Sequence, residues 1–111
     1  TKVAATTLDV YTATHQPPTV IKLDVEGGER MVLAGARGTL LAHAPVIAVE
    51  LWSGEGYLFS KHVLLALKEL GYQPHFIRTS GELEPTTHEH LLEWLKERRT
   101  DMNFVFKKAV L

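Results

Sequence analysis

Three carboxylate side chains stand where two short apolar segments end. Asp24 and Glu26 close the segment that begins at Val20, and Glu50 closes the segment that begins at Val46. If the segments are neighbouring parallel strands, about 4.8 Å apart, these side chains converge at one edge of the sheet. Like charges so close need a cation, a shared proton or a nearby lysine. The cluster could therefore bind a cosubstrate or accept a proton from a nucleophile.

A structural interpretation of the same residues is equally open. Lys22 lies on the same strand face as Asp24, because side chains alternate along a strand, so the two could form an ion pair. Glu26 would then only be a solvated turn residue. Glu29 would only place its negative charge near the positive N-terminus of the following helix, where it is favourable. Carboxylates collect at strand ends for both reasons.

The loop after the second apolar segment could border a substrate pocket. Trp52 is followed by Gly54 and Gly56, and this composition predicts a loop. An indole ring beside these glycines could form one wall of the pocket mouth, next to Glu50. Glu50 and Trp52 are therefore the candidate substrate-pocket residues.

The six histidines do not form a recognisable metal motif. His88 and His90 are two residues apart on a predicted helix and therefore face different directions. The sequence has no His-Glu-x-x-His pattern, no nucleophilic serine motif and no glycine-rich phosphate loop. We expect no dedicated histidine site, and a divalent metal is considered only at the carboxylates, with Glu50 as pocket wall or ligand.

The bulk composition excludes several classes of protein. Residues 1–111 fit one compact domain. An apolar fraction of 45% and a charged fraction of 23% are those of an ordinary globular chain, and a net charge of −1 predicts no general attraction to nucleic acid or anionic lipid. No apolar run approaches the roughly 20 residues that span a bilayer. The lack of cysteine excludes disulfides and suits a reducing compartment, so we expect a cytoplasmic location.

Helices and strands that would position these residues alternate along the sequence, which defines an α/β fold class. Residues 20–25 and 46–51 are β-branched and almost wholly apolar, as in strands covered on both faces. Residues 29–43 have helical periodicity, with Gly35 and Gly38 weakening the helix without ending it. Strand, helix and strand in this order predict a right-handed parallel unit. The other predicted elements are a short helix capped by Thr6 and ending near His15, a helix over 60–70, a strand over 72–77, a turn-rich segment over 79–85, a helix capped by Thr86 and ending at Arg98 and Arg99, and a strand over 103–107.

A long patterned run resembles the FkbM family of methyltransferases. It comprises IKLDVEGGE at residues 21–29, VL-x-GA at residues 32–36 and PVIAVE at residues 45–50. The element TLD at residues 7–9 resembles the segment that precedes this strand in the family, and NFVF at residues 103–106 is similar to the family's final strand. The likeness is strong over residues 6–51 and looser after them.

The resemblance implies a class I, S-adenosylmethionine-dependent methyltransferase that modifies a hydroxyl of a sugar or natural product. It implies a Rossmann-like sheet of which this chain would hold the C-terminal half, with mostly parallel strands and an antiparallel last strand between its neighbours. The strand that carries Asp24 would be the family's fourth, and the strand that carries Glu50 its fifth. Asp24 and then Glu26 would be the candidate catalytic residues, lying beside the methyl donor and the acceptor.

The chain departs from the family at the cofactor site. The family binds S-adenosylmethionine through a glycine-rich loop after its first strand and an acidic residue at the end of its second, and neither has a counterpart here. The cofactor-binding residues are therefore unknown, and we expect these 111 residues alone to bind S-adenosylmethionine poorly. Without the family's first strand, the strand from Val20 to Val25 becomes an exposed sheet edge, so we expect self-association or docking with the missing half.

Two other functions fit parts of the pattern. Metal-dependent phosphotransfer or nuclease domains of the Toprim type also place Glu-Gly at a strand-to-helix turn. They need Asp-x-Asp at the next strand end, where this chain has Glu50, Leu51 and Trp52. A non-catalytic α/β module that pairs through its open sheet edge would need no cofactor loop. A glycine-rich loop after a strand, encoded upstream of Thr1, would favour the methyltransferase.

Overall fold

The computed structural model describes residues 2–97 and 102–109, and helices and strands alternate along them. No helix in these two ranges is long and apolar enough to cross a membrane. In chain order the elements are α1 (Leu8–Thr12), β1 (Val20–Leu23), α2 (Glu29–Gly35), α3 (Arg37–His43), β2 (Val46–Leu51), a 3-10 helix (Gly54–Gly56), α4 (Tyr57–Glu69), β3 (Tyr72–Ile77), β4 (Leu83–Pro85), α5 (His88–Glu97) and β5 (Met102–Lys108).

The five strands form one mixed sheet in the order β1-β2-β5-β3-β4. β1 and β2 are parallel, whereas β5 runs antiparallel to both of its neighbours, β2 and β3. The last strand is thus inserted antiparallel between its neighbours, as the family resemblance implied. Because β5 is antiparallel to both β2 and β3, the strands β1, β2 and β3 all run in one direction. The expectation of mostly parallel strands with an antiparallel last strand is confirmed for these four strands, whereas β4, antiparallel to β3, was not predicted.

The hydrophobic core lies on one face of the sheet. Alternation along β2 and β5 turns Val49 and Phe104 into this core, and register pairs the two residues with each other. Helices α2 to α5 contribute the opposite side of the core. The buried hydrophobic residues of this core are Leu23, Leu33, Ala36, Leu40, Ile47, Val49, Leu51, Val63, Leu64, Leu67, Leu70, Tyr72, Leu91, Leu95, Phe104 and Phe106.

Strand β1 differs from its prediction in length and in burial. It ends at Leu23 instead of residue 25, because the chain leaves the sheet in a turn with positive φ at Glu26 and Gly27. Leu23 is 3% exposed, but Val20 is 64% exposed. The prediction of a strand covered on both faces is therefore wrong, since β1 is an edge strand with one open face.

The helix predicted over residues 29–43 is broken into α2 and α3 at Ala36, where φ is −110° and ψ is 0°. The carboxylate of Asp9, on α1, accepts hydrogen bonds from the backbone N–H of Gly38 and Thr39 at 2.9 and 2.8 Å. The Thr39 hydroxyl donates to the same carboxylate at 2.7 Å. A side chain from a distant segment thus caps α3, and single-helix periodicity could not reveal it.

Smaller differences concern helix caps and one strand. Thr7, not Thr6, caps α1 by accepting from the backbone N–H of Val10, and Thr87, not Thr86, accepts from the N–H of His90 at the start of α5. The segment predicted to be turn-rich contains β4, which pairs antiparallel with β3. The predicted end of α5 at Arg98 and Arg99 lies outside the described residues.

Candidate functional site

The chain leaves β1 through an acidic turn, residues 24–28, whose backbone is unusual. Glu26 has φ of 41° and Gly27 has φ of 95°. The N–H of Gly28 donates to the carbonyl of Val25 at 3.2 Å and closes the turn. Left-handed φ is rare for a glutamate, and such residues concentrate where a protein needs a fixed functional geometry. The acidic turn is therefore the first candidate for the site.

Glu29 holds this turn in place. Its side chain is buried, and its carboxylate accepts from the N–H of Gly27 at 2.9 Å and from the N–H of Val25 at 3.3 Å. Sequence reasoning treated Glu29 only as a charge at the helix start. Its position directly after two glycines was the signal for a larger role, because their N–H groups need an acceptor.

Strand register brings Asp24 and Glu50 to the same edge of the sheet. Leu23 is paired with Val49, so the next residue on each strand stands at the carboxyl end of β1 or β2. Asp24 is exposed and Glu50 is half-buried. These two candidates therefore occupy neighbouring strand ends, as the sequence predicted.

Lys22 does not pair with Asp24 within the described residues. Its ammonium instead donates to the side-chain carbonyl of Asn103, which lies on β5 opposite Glu50. The described part of the chain therefore lacks the Lys22–Asp24 ion pair, on which the purely structural interpretation of Asp24 depended. Asp24 is thus left exposed, with no salt bridge to a described residue.

The carboxylates do not make a metal site. No group of three or more His, Cys, Asp or Glu side chains in the described ranges could hold a metal ion. Of the alternatives left open for Asp24, Glu26 and Glu50, a shared cation therefore has no three-residue ligand group among the described residues. Glu26 follows Asp24 into the turn, where the left-handed backbone takes it away from the strand direction.

Trp52 is fixed by helix α4. Its backbone N–H donates to the Ser60 hydroxyl at 2.6 Å, and the Ser60 hydroxyl is also within 2.7 Å of the Trp52 carbonyl. The indole ring meets Phe59 edge-on, with ring centroids 6.0 Å apart. A Cβ at Gly56 would lie 2.4 Å from the Trp52 Cβ, so this position requires glycine. Gly56 was identified from the sequence as a loop residue beside Trp52, whereas Ser60 and Phe59 were not identified.

These residues together form an edge that suits a cationic or hydroxyl-bearing ligand. Exposed carboxylates can attract a positive charge and can accept a proton from a hydroxyl. Glu29 and Ser60 hold the two neighbouring loops, so the edge is fixed by side chain to backbone hydrogen bonds. The arrangement is one wall of the candidate site.

Comparison with known proteins gives one match. A family model described as the methyltransferase FkbM domain matches residues 1–104. No curated protein and no solved structure matches the chain.

Proposed function

The chain belongs to the FkbM methyltransferase domain family, and we propose that it serves S-adenosylmethionine-dependent methylation of a hydroxyl on a sugar or natural product. The family match over residues 1–104 is the observation that carries this proposal. We further propose that the sheet is the C-terminal half of a Rossmann-like class I methyltransferase sheet. The strand order and the antiparallel β5 support this assignment. The cytoplasm is the expected location, because the chain has no cysteine.

Asp24 is the proposed proton acceptor. Asp24 would accept the proton that the acceptor hydroxyl gives up on methylation, while S-adenosylmethionine, when bound, would supply the methyl group. Asp24 stands at the strand end without a salt bridge to a described residue, so its charge is available for this task. Glu26 is the second candidate, and Glu50 and Trp52 would border the acceptor.

The residues fit S-adenosylmethionine in part. Bound, this cofactor would supply the electrophilic methyl group, and its sulfonium and ammonium charges would be complemented by the exposed carboxylates of Asp24 and Glu26. No glycine precedes Gly27 in the sequence, so the chain offers no glycine-rich loop before β1. We therefore propose that these residues supply only one wall for the cofactor.

A titration of the chain with S-adenosylmethionine, followed by amide NMR, tests the proposal. We expect weak, millimolar binding, with shifts confined to residues 24–29 and to Glu50 and Trp52. Asp24→Asn combined with Glu26→Gln should weaken the shifts, because it removes both complementary charges. Glu82→Gln, in the exposed turn between β3 and β4 at the other end of the strand order from β1, is the control and should leave them unchanged.

Two outcomes would overturn the proposal. One is the absence of any shift at the acidic turn up to saturating cofactor. The other is an equal response of the double variant and the Glu82→Gln control. Micromolar affinity would instead refute the idea that the chain supplies only one wall.

A further inference from the structure

A groove runs between α2 and α4 and begins at the acidic turn. The part next to Gly27 of the acidic turn, called the upper part, has a volume of about 540 Å³. The part that reaches Arg37 and Leu70, called the lower part, has a volume of about 270 Å³. Arg30 and Ala34 line both parts, so the two are continuous. The upper part alone lies within the range of small-molecule sites. It is lined by Gly27, Arg30, Met31, Ala34, Phe59 and His62.

Large apolar side chains border this groove although they face water. Met31 is 81% exposed and Phe59 is 54% exposed. Single exposed apolar residues are common, but two at one concave site mark a surface that an apolar molecule can cover. Phe59 also contacts Trp52, which joins the groove to the proposed acceptor wall.

The groove carries a net positive charge, because its lining includes the two arginines Arg30 and Arg37 and the single carboxylate of Glu69. Arg30 and His62 line its upper part, and Arg37 and Glu69 line its lower part. None of these four side chains forms a salt bridge within the described residues. An unpaired guanidinium beside an apolar surface favours a carboxylate or phosphate that can accept its hydrogen bonds.

We propose that this groove binds the methyl acceptor, and that the acceptor is an elongated apolar molecule with an anionic group. This assignment rests on the proposed function. The hydroxyl end would lie at Gly27, next to the proton acceptor, and the apolar body would cover Met31 and Phe59. The anionic group would then reach Arg30 or Arg37. Apolar lining and unpaired cations in one groove that opens at the acidic turn carry the proposal.

Two probes of opposite charge test it on the full chain. ω-Hydroxydecanoate and ω-hydroxydecylamine share the apolar body and the hydroxyl and differ in the charged end. We expect the acid to bind about fivefold more tightly than the amine at low salt, with amide NMR shifts at Gly27, Arg30 and Ala34. Raised salt should reduce the difference, because the contact is exposed.

Matched variants separate charge from apolar contact. Arg30→Gln should weaken binding of the acid about threefold to fivefold and leave the amine unchanged. Lys107→Gln removes the same charge from an exposed position on β5 and should have no effect. Phe59→Ser should weaken both probes, and circular dichroism would establish that the variant is folded.

Equal binding of the acid and the amine would overturn the proposal, as would equal effects of Arg30→Gln and Lys107→Gln. The cofactor titration is a separate readout. If the acid binds in the groove but S-adenosylmethionine produces no shift at residues 24–29, the proposed function fails while the groove's ligand chemistry stands. If the cofactor binds and the acid does not, only the acceptor class is wrong.

Discussion

Glu26 combines backbone strain with an exposed side chain. Its left-handed φ of 41° costs on the order of 1–3 kcal/mol, so surrounding contacts must offset this cost. Glu29 provides the fixing contacts, because its buried carboxylate accepts from the N–H of Val25 and Gly27 on either side. These contacts stabilise the backbone of the turn, as a site that positions reacting groups requires.

Asp24→Asn should separate catalysis from stability. In an active assembly that contains this chain, we expect kcat to fall about a hundredfold or more, because the amide cannot accept the hydroxyl proton. The melting temperature should hardly change, since Asp24 is exposed and has no salt bridge to a described residue. Steady-state kinetics and thermal unfolding of the same preparation measure both quantities.

Glu82→Gln is the control for Asp24→Asn, because it makes the same type of change in an exposed turn. It should leave kcat and melting temperature unchanged. Parallel losses of activity and stability in Asp24→Asn would show that Asp24 is a structural residue.

His88 should make folding sensitive to mild acid. Its Nε2 lies 2.7 Å from the carbonyl of Tyr72, whereas its Nδ1 is buried without a partner in the described residues. Burial lowers the pKa of His88 below its ordinary value of 6.5, against the opposing effect of the Tyr72 carbonyl. The unfolded chain therefore binds the proton at higher pH than the folded chain does.

The free energy of unfolding should then be largest above pH 6.5, should fall as the pH drops below that value, and should level off below the folded pKa. Urea unfolding across this range measures it. His88→Gln should flatten the fall relative to wild type, whereas His43→Gln, at an exposed position, should retain it. An identical pH profile for wild type and His88→Gln would contradict this account.

At the scale of elements, one side chain organises three helices. Asp9 on α1 caps α3 and thereby defines the break between α2 and α3. The approach of α1 also explains Gly35, where a Cβ would lie 2.9 Å from the Cγ2 of Thr7. Gly35 and Gly38 therefore both allow α1 to approach closely. A better helix former at residue 35 would push α1 away.

Asp9→Ala should destabilise the chain by about 1–2 kcal/mol, because two backbone N–H groups lose their acceptor. The Thr39 hydroxyl, then the Thr39 amide, and less strongly the Gly38 amide, lower the pKa of Asp9 below its ordinary 3.8 against the opposing effect of burial. The stabilisation is thus present above pH 3.8 and is lost as the pH falls through the folded pKa. Urea unfolding at neutral pH measures the loss.

Glu82→Ala serves as the control for Asp9→Ala, since Glu82 is an exposed acid outside the helices. Its effect should lie within about 0.5 kcal/mol of zero. A loss in Asp9→Ala no larger than in this control would exclude the capping role.

At the scale of the whole molecule, β1 is an edge strand. It lies at one end of the sheet that the described strands form, and its first residue, Val20, is exposed. Unpaired backbone groups along such a strand can pair with another chain. We therefore propose concentration-dependent self-association through β1, and Val20→Lys should reduce it by placing a charge on the edge.

Sedimentation velocity over a concentration series measures this association. Leu41→Lys, at an exposed position on α3, is the control and should associate like wild type. A wild-type chain that stays monomeric at all concentrations would argue against pairing through β1.

The sequence by itself determined the elements that local pattern encodes and, with the family resemblance, the family. Tyr72–Ile77 is the strand that the sequence predicted, and the burial of Phe104 and Phe106 on one face follows from their period of two. The family match over residues 1–104 confirms the FkbM assignment made from the run at residues 21–50.

Tertiary structure decided every feature that depends on groups distant in sequence. The Asp9 cap spans 29 residues to Gly38, and the Lys22 contact with Asn103 spans 81 residues, so no local pattern contains either. The second contact removes Lys22 as the partner of Asp24. Three other features likewise arise only in the folded chain: the open face of β1, the hydrogen bonds from the acidic turn to Glu29, and the groove between α2 and α4. Local periodicity specifies which face of an element is apolar, whereas packing specifies which polar groups meet.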